Sequence, residues 1–120
     1  MLKRIFRLTR EKDFQTIYRR GRYNATALLS VNVLPNKFGA TKIGVVANKK
    51  VAKKAHDRNS VKRQAREIAR LLLPRLKSGQ SIIITLKQPA LAASYQDIER
   101  DILASFKRLE LFSENDQKNN

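Results

Sequence analysis

The side chains of this sequence that could act chemically are mainly cationic, and they are concentrated between residues 47 and 75. This segment holds ten basic residues and only two acids, Asp57 and Glu67. Cations at this density repel one another unless an anion lies between them, and the planar guanidinium group of Arg suits phosphate oxygens. The spacing therefore indicates binding of a polyanion. The basic residues are Lys49, Lys50, Lys53, Lys54, Arg58, Lys62, Arg63, Arg66, Arg70 and Arg75.

Side chains for protein-borne hydrolysis are scarce. His56 is the single histidine, which excludes a histidine pair within one chain. The carboxylates form no tight Asp-x-Asp metal cluster, and the four glycines are too scattered for a phosphate-binding loop. The absence of cysteine excludes disulfides and cysteine metal sites. The sequence thus indicates binding, with no catalytic residue of its own.

Composition narrows the class of partner. The net charge of +16 on 120 residues favours nucleic acid first and an anionic membrane surface second. No apolar run reaches the length of a spanning helix, and the basic start lacks the apolar core of a signal peptide. We expect a soluble cytoplasmic protein without a membrane partner. Its length predicts one RNA-binding domain over residues 1–112, followed by a polar, disordered tail over 113–120.

The hydrophobic pattern predicts the order helix, strands, helix, strand, helix, which is a small α+β or α/β sandwich of helices on one sheet, and we expect the α+β class. Thr9 is the expected N-cap of the first helix and Gly21 its end, while Ser94 and Asp97 resemble a capping box before the last helix. Because the second helix links two strands, a crossover is expected. The predicted helices are 9–20, 55–76 and a segment after Ser94, and the predicted strands are 26–34, 42–47 and 81–86, with a weak signal at 22–24.

The helix at 55–76 carries two different stripes. Its apolar residues recur with a period of 3.6 and predict the face that packs on the sheet. At about 100° per residue, the basic residues fall roughly 110° round from that face. The apolar set is Val61, Ala65, Ile68, Leu72 and Leu76, and the basic edge is Arg58, Asn59, Lys62, Arg63, Arg66 and Arg70.

Two aromatic residues of the first helix allow two interpretations. Phe14 and Tyr18 lie on one helical face, where each could stack an unpaired base for about 1–3 kcal/mol. The same spacing also fits packing of the first helix in the core. Spacing alone does not distinguish base stacking from core packing.

The run "GVVANKKVAKKAHDRNSVKRQARE", residues 44–67, resembles the signature of the protein subunit of bacterial ribonuclease P. That family has a Lys-Lys pair at a strand end, an A-H-x-R-N segment, and K-R-x-x-R-E on a helix. The segments "DFQTIYRRG" at 13–21 and "SIIITLKQPA" at 81–90 are also similar to the family, so the resemblance covers about residues 8–108. One position differs from the family pattern: Ser60 stands where the family's Arg-Asn-Arg triplet has its second Arg.

The resemblance implies a fold and a function. The fold would be a sheet of about four strands with helices packed on it and a left-handed crossover around the basic helix, although the general rule favours a right-handed one. The function would be that of the protein component of the ribonuclease P ribonucleoprotein. There, catalytic RNA removes the 5′ leader of precursor tRNA with Mg²⁺ held mainly by RNA and substrate. The protein would be inactive alone, with no obligate protein partner.

The resemblance also assigns sites to two surfaces. Three residues would line a cleft for the single-stranded leader, namely Phe14, Tyr18 and Asn32. A larger set would contact catalytic RNA, namely Lys49, Lys50, Lys53, Lys54, Arg58, Asn59, Ser60, Lys62, Arg63, Arg66 and Arg70. No metal ligand on the protein is assigned.

Two other functions fit the composition. A ribosomal-type structural RNA-binding protein, with no role in cleavage, has the same size and basicity. A protein nuclease acting alone is the third hypothesis, and the scarcity of catalytic groups weighs against it.

Overall fold

The computed structural model describes residues 7–8, 10–37, 39–50 and 52–113, which form three helices and four strands. No helix in these ranges is long and apolar enough to cross a bilayer. The α+β class and the element order are confirmed, and the weakly signalled strand after the first helix is present. The elements are α1 Glu11–Arg20, β1 Arg22–Ala25, β2 Leu29–Pro35, β3 Lys42–Val46, α2 Ala55–Leu72, β4 Gln80–Leu86 and α3 Tyr95–Arg108, with 3₁₀ turns at Leu73–Arg75 and Gln88–Ala92.

The four strands form one mixed sheet in the order β1-β2-β4-β3. β2 runs antiparallel to both β1 and β4, whereas β3 and β4 are parallel neighbours joined through α2. The parallel pairing confirms the crossover, and its left-handed sense stays a prediction. Outside β3, the Leu8 N–H donates to the Ile43 carbonyl at 3.1 Å and so covers part of that edge.

The sheet buries side chains on both faces. Because successive strand residues point to opposite faces, Leu29, Val31 and Val33 pack with α2 and α3 in the larger core. The other face of the sheet packs with α1 through a smaller cluster. Its buried members are Leu8, Ile17 and Ile83, with Phe14, Leu34 and Val46 at its margin.

Element ends differ from the sequence predictions for local reasons. α1 begins at Glu11 with Arg10 as N-cap, and Arg10 makes no side-chain capping bond. Thr9, the predicted cap, lies outside the described residues. β2 begins at Leu29 because the Thr26 hydroxyl accepts from the N–H groups of Leu28 and Leu29, at 3.3 and 3.2 Å, and so forms a turn.

The ends of the last two helices show one correction and one confirmation. α2 stops at Leu72 rather than at residue 76, because Pro74 supplies no N–H and the chain continues as a 3₁₀ turn. Ser94 caps α3 as predicted, since its Oγ accepts from the Asp97 N–H at 3.1 Å. The predicted tail falls mainly on residues 114–120, outside the described ranges, whereas Phe112 is buried in the larger core.

Gly21 joins α1 to β1 where the backbone is crowded, and we predict that Gly21→Ala destabilises the protein. A Cβ atom there would lie 2.5 Å from the Val33 oxygen and 2.6 Å from the Ile17 oxygen, both backbone atoms. We expect a loss of about 3 kcal/mol in the free energy of unfolding, the upper end for overpacking, measured by urea denaturation.

Gly39→Ala is the matched control for this prediction. A Cβ atom at Gly39 would meet no atom within 4 Å, although its φ of +83° makes a side chain unfavourable. We expect a loss of only about 1 kcal/mol there. An equal or smaller loss at Gly21 than at Gly39 would show that the α1–β1 junction relaxes freely.

Candidate nucleic-acid interface

α2 presents a row of cations along one flank. Five of its residues, Val61, Ala65, Ile68, Ala69 and Leu72, are buried toward the sheet and fix the rotation of the helix. Arg58, Lys62 and Arg66 follow at intervals of four and are half-buried, while Asn59 and Arg63 beside them are exposed. We call Arg58, Asn59, Lys62, Arg63 and Arg66 the basic stripe. The structure therefore brings these five predicted residues together.

The charges of the stripe act on one another. Partial burial lowers the pKa of Lys62, and the positive charges of Arg66 and Arg58 lower it further. Within the described ranges, none of these three side chains makes an ion pair. An anion placed on the stripe would relieve this repulsion.

Arg58 also has a structural function that the sequence did not indicate. Its Nη1 donates to the backbone carbonyls of Ala52 and Lys53, at 2.7 and 3.0 Å. These bonds tie the loop between β3 and α2 to the first turn of the helix. Arg58 thereby holds the loop lysines next to the basic stripe.

We call Lys49, Lys50, Lys53 and Lys54, all exposed, the lysine loop. An Asx turn shapes its start, since the Lys50 N–H donates to Asn48 Oδ1 at 2.9 Å. The four lysines line a recess of about 460 Å³ that also contacts Ala52 and Leu91. The predicted loop cations are therefore brought together beside the N-terminus of α2.

Two predicted residues of α2 differ from the basic stripe, Arg70 by its ion pair and Ser60 by its position. Arg70 donates to both carboxylate oxygens of Glu67, at 2.6 and 3.1 Å. This bond raises the pKa of Arg70 and lowers that of Glu67. Ser60 lies on the opposite flank, because two residues of helix turn it about 200° from Arg58. It lines a pocket against the 3₁₀ turn Gln88–Ala92.

The predicted cleft residues lie on the other side of the sheet. Tyr18 is 46% exposed, and its hydroxyl lies 3.4 Å from Thr85 Oγ1. Phe14 is half-buried at the margin of the smaller core, and its ring lies so close to Gly44 that a Cβ there would be 2.7 Å from Phe14 Cζ. Phe14 thus packs at the margin of the core, which confirms the packing interpretation, and base stacking by Phe14 stays a prediction.

Residues on the sheet extend this second surface. Asn32 alternates with the buried Val31 and Val33, so it faces the α1 side. Tyr23 pairs directly with Asn32 across the β1–β2 ladder and therefore points to the same face, where it is 70% exposed. Sequence reasoning missed Tyr23, Thr85 and Gly44, although strand pairing would have placed Tyr23 beside Asn32. We call Phe14, Tyr18, Tyr23, Asn32, Gly44 and Thr85 the α1 cleft.

In the described parts of the chain, no three His, Asp or Glu side chains gather closely enough to hold a metal ion. His56 is exposed at the start of α2. What the geometry can do is bind phosphates on one side of the sheet and stack bases on the other.

Similarity to known proteins agrees with this geometry. A family model described as Ribonuclease P matches residues 2–110. The ribonuclease P protein component of Pseudanabaena sp. (strain PCC 6903) is 40% identical over 103 residues, which cover 85% of this chain and 89% of the relative. That of Alkaliphilus oremlandii (strain OhILAs) is 33% identical over 112 residues, covering 93% and 97%.

Solved structures show the same fold. The RNase P protein of Staphylococcus aureus superposes with a TM-score of 0.82 at 27% identity and covers 90% of this chain and 98% of its own. The Thermotoga maritima protein, at 24% identity and a TM-score of 0.73, covers 82% and 92% and supports the fold alone. With the family model spanning nearly the whole chain, this protein belongs to the bacterial ribonuclease P protein component family.

Proposed function

We propose that this chain binds the catalytic RNA of ribonuclease P through the basic stripe and the lysine loop, and binds the 5′ leader of precursor tRNA in the α1 cleft. The RNA component carries out hydrolysis of the leader, and the protein alone is inactive. The Mg²⁺ of the holoenzyme is held mainly by RNA and substrate. This action belongs in the cytoplasm. The observation that carries the proposal is the row Arg58, Lys62 and Arg66, which makes no ion pair within the described ranges, on a helix anchored in the core.

The two surfaces would make different contributions. Phosphate contacts on the basic stripe supply affinity without reading sequence, because Lys and Arg recognise the backbone charge. The α1 cleft would hold unpaired leader bases against Tyr18 and Tyr23. The protein therefore contributes binding and positioning rather than proton transfer. A ribosomal-type RNA-binding function would need only the first of these surfaces.

Reconstitution tests the proposal. Protein freed of RNA should leave precursor tRNA intact, and adding it to the catalytic RNA should stimulate cleavage at low Mg²⁺.

Lys62→Ala and Arg66→Ala should each weaken binding of the catalytic RNA and reduce the log–log salt slope by about 1, because each removes one phosphate contact. Filter binding across a salt series measures both quantities.

Arg100→Ala provides the matched control for the stripe variants. Arg100 lies on α3 and already contacts Asp97 and Asp101, at 3.2 and 3.5 Å, so its removal should leave the salt slope unchanged. Cleavage by scrupulously RNA-free protein would instead support a protein nuclease. Failure to stimulate the catalytic RNA, together with copurification with ribosomes at high salt, would support the ribosomal-type function.

The α1 cleft predicts an effect that depends on the leader. Tyr18→Ala should weaken binding of precursor tRNA by roughly 5-fold to 100-fold, as expected for one base stacked on an aromatic ring, and should leave mature tRNA nearly unaffected. Affinities of the reconstituted holoenzyme for both tRNAs measure this. Tyr18→Phe, which keeps the ring, is the control and should bind nearly as the wild type does. Equal losses for both tRNAs would contradict a leader-binding cleft.

We expect the charge of Lys62 to have opposite effects on the stability of the free protein and on RNA binding. Its pKa in the folded protein lies below the ordinary 10.5, so the unfolded chain binds the proton more tightly. The charge therefore destabilises the free protein at neutral pH, and this effect fades as pH rises toward 10.5. Lys62→Met should raise the melting temperature at pH 7, with a difference that shrinks as pH rises toward 10.5, and should weaken RNA binding.

Thermal melts of both proteins across this pH range measure the effect. Arg63→Met is the control, because the side chain of Arg63 is exposed at the outer edge of the stripe. It should change the melting temperature less. A melting temperature for Lys62→Met at or below that of the wild type would contradict a destabilising effect of the Lys62 charge beside Arg58 and Arg66.

A further inference from the structure

The flank of α2 opposite the basic stripe lines a second recess, which we call the turn pocket. It has a volume of about 280 Å³ between α2 and the 3₁₀ turn Gln88–Ala92. The α2 side is polar and the turn side is apolar. Its lining residues are Asp57, Ser60, Val61 and Gln64 from the helix, and Ala90, Leu91 and Ala93 from the turn and the residue after it.

The polar wall holds hydrogen-bond acceptors that lack donors. The Oε1 atom of Gln64 is buried and has no hydrogen-bond partner among the described residues. A buried acceptor without a partner is unfavourable, and an N–H or O–H group of a ligand that reached it would satisfy it. Asp57 is exposed and makes no ion pair within the same ranges, although Lys53 and Lys54 line the adjacent recess with it. The Ser60 hydroxyl lies between these two acceptors in sequence and can donate or accept.

The other wall is suited to a flat apolar face. Ala90, Leu91 and Ala93 offer aliphatic contact, and Leu91 remains 38% exposed. The volume of 280 Å³ lies near the lower limit of small-molecule sites, roughly 300–1,000 Å³, so the pocket suits one planar ring system rather than a larger ligand. Acceptors on one side and aliphatic groups on the other match a nucleobase that presents N–H donors at its edge.

Donor geometry selects among the bases. The Watson–Crick edge of guanine carries two adjacent donors, N1–H and the N2 amino group, which one carboxylate can accept together. Adenine places an acceptor at N1, and uracil has a single donor between two acceptors. The Asp57 carboxylate, which makes no ion pair within the described ranges, is therefore satisfied best by guanine, and Gln64 lines the same pocket two helical turns away. The same carboxylate lies in the first turn of α2, where its negative charge also favours the helix dipole.

Neighbouring charges indicate where the base would come from. The turn pocket and the recess of the lysine loop share Asp57 and Leu91, so a nucleotide with its base in the pocket would carry its phosphate toward the lysines. α1 lies on the opposite face of the sheet from α2, which separates this site from the α1 cleft. Ser60 leaves room that a longer side chain at this position would fill.

We propose that the turn pocket binds one unpaired guanine of the catalytic RNA, with Asp57 and Gln64 accepting from the base and the lysine loop holding the adjacent phosphate. This inference rests on the proposed function, since it requires an RNA partner on the α2 side of the sheet. It adds a base-specific contact to a surface that otherwise recognises only phosphates.

Short single strands test the pocket without the catalytic RNA. The full chain is titrated against labelled UUUGUU, UUUAUU and the same strand with inosine, which lacks the N2 amino group. We expect the guanine strand to bind roughly 5-fold to 100-fold more tightly than the adenine strand, the discrimination of one bidentate contact, with inosine between them. Equal binding of all three strands would overturn the proposal.

Asp57→Asn separates base recognition from general electrostatics. Removing one negative charge should tighten binding of UUUAUU, while the preference for guanine should disappear because the amide offers one acceptor instead of two. Gln64→Leu should also reduce the preference. Retention of the full preference in Asp57→Asn would overturn the assignment. Thermal melts of each variant verify that it is folded at the temperature of the titration.

Two further experiments distinguish failure of this proposal from failure of the proposed function. Lys62→Ala should weaken all three strands by a similar factor and preserve the preference for guanine, so failure of the basic stripe and failure of the turn pocket give different results. Competition with 5′-GMP distinguishes the source of the base. We expect 5′-GMP to compete much more weakly than UUUGUU, and competition at equal concentration would overturn the assignment to RNA.

Discussion

Repulsion among the cations of α2 is the constraint on which the rest of this structure depends. Arg58, Lys62 and Arg66 lie in one row, and their charges disfavour one another: partial burial lowers the pKa of Lys62 first, and the charges of Arg66 and Arg58 lower it further. Burial of apolar residues on the adjacent face of the same helix outweighs that repulsion and fixes the direction in which the charges point. The core thus maintains a charge array that is fully satisfied only when an anion binds.

The sheet separates the two proposed binding surfaces because its strands bury side chains on both faces. α2 and α3 cover one face with the larger core, and α1 covers only part of the other with a smaller one. Since α1 is a short helix, Tyr18 and Tyr23 remain exposed beside it. Incomplete covering of the second face therefore leaves these aromatic rings available for the proposed stacking of bases, at the expense of buried area.

Sequence periodicity predicted the elements and their buried faces, which depend on local pattern. It did not predict side-chain pairings or strand pairings, which depend on tertiary contacts. The alternation in β2 and the apolar stripe of α2 predicted the strand and the buried helix face, because each periodicity follows directly from backbone geometry. Periodicity could not show that the Arg58 guanidinium ties down the loop carbonyls, or that Arg70 pairs with Glu67 rather than joining the stripe. Nor could it place Tyr23 opposite Asn32, because strand pairing is a long-range contact.

The parallel pairing of β3 and β4 explains why the candidate contacts collect at one place. Parallel neighbours end at the same edge of a sheet, so the loop that follows β3 and the turn that follows β4 must meet there. The first supplies the lysine loop and the second supplies Leu91, while α2 begins between them with Asp57 in its first turn. One topological feature therefore brings together phosphate-binding cations, a free carboxylate and an apolar wall. Those are the groups that an unpaired nucleotide needs, and segments distant in sequence supply them only because the crossover makes β3 and β4 neighbours.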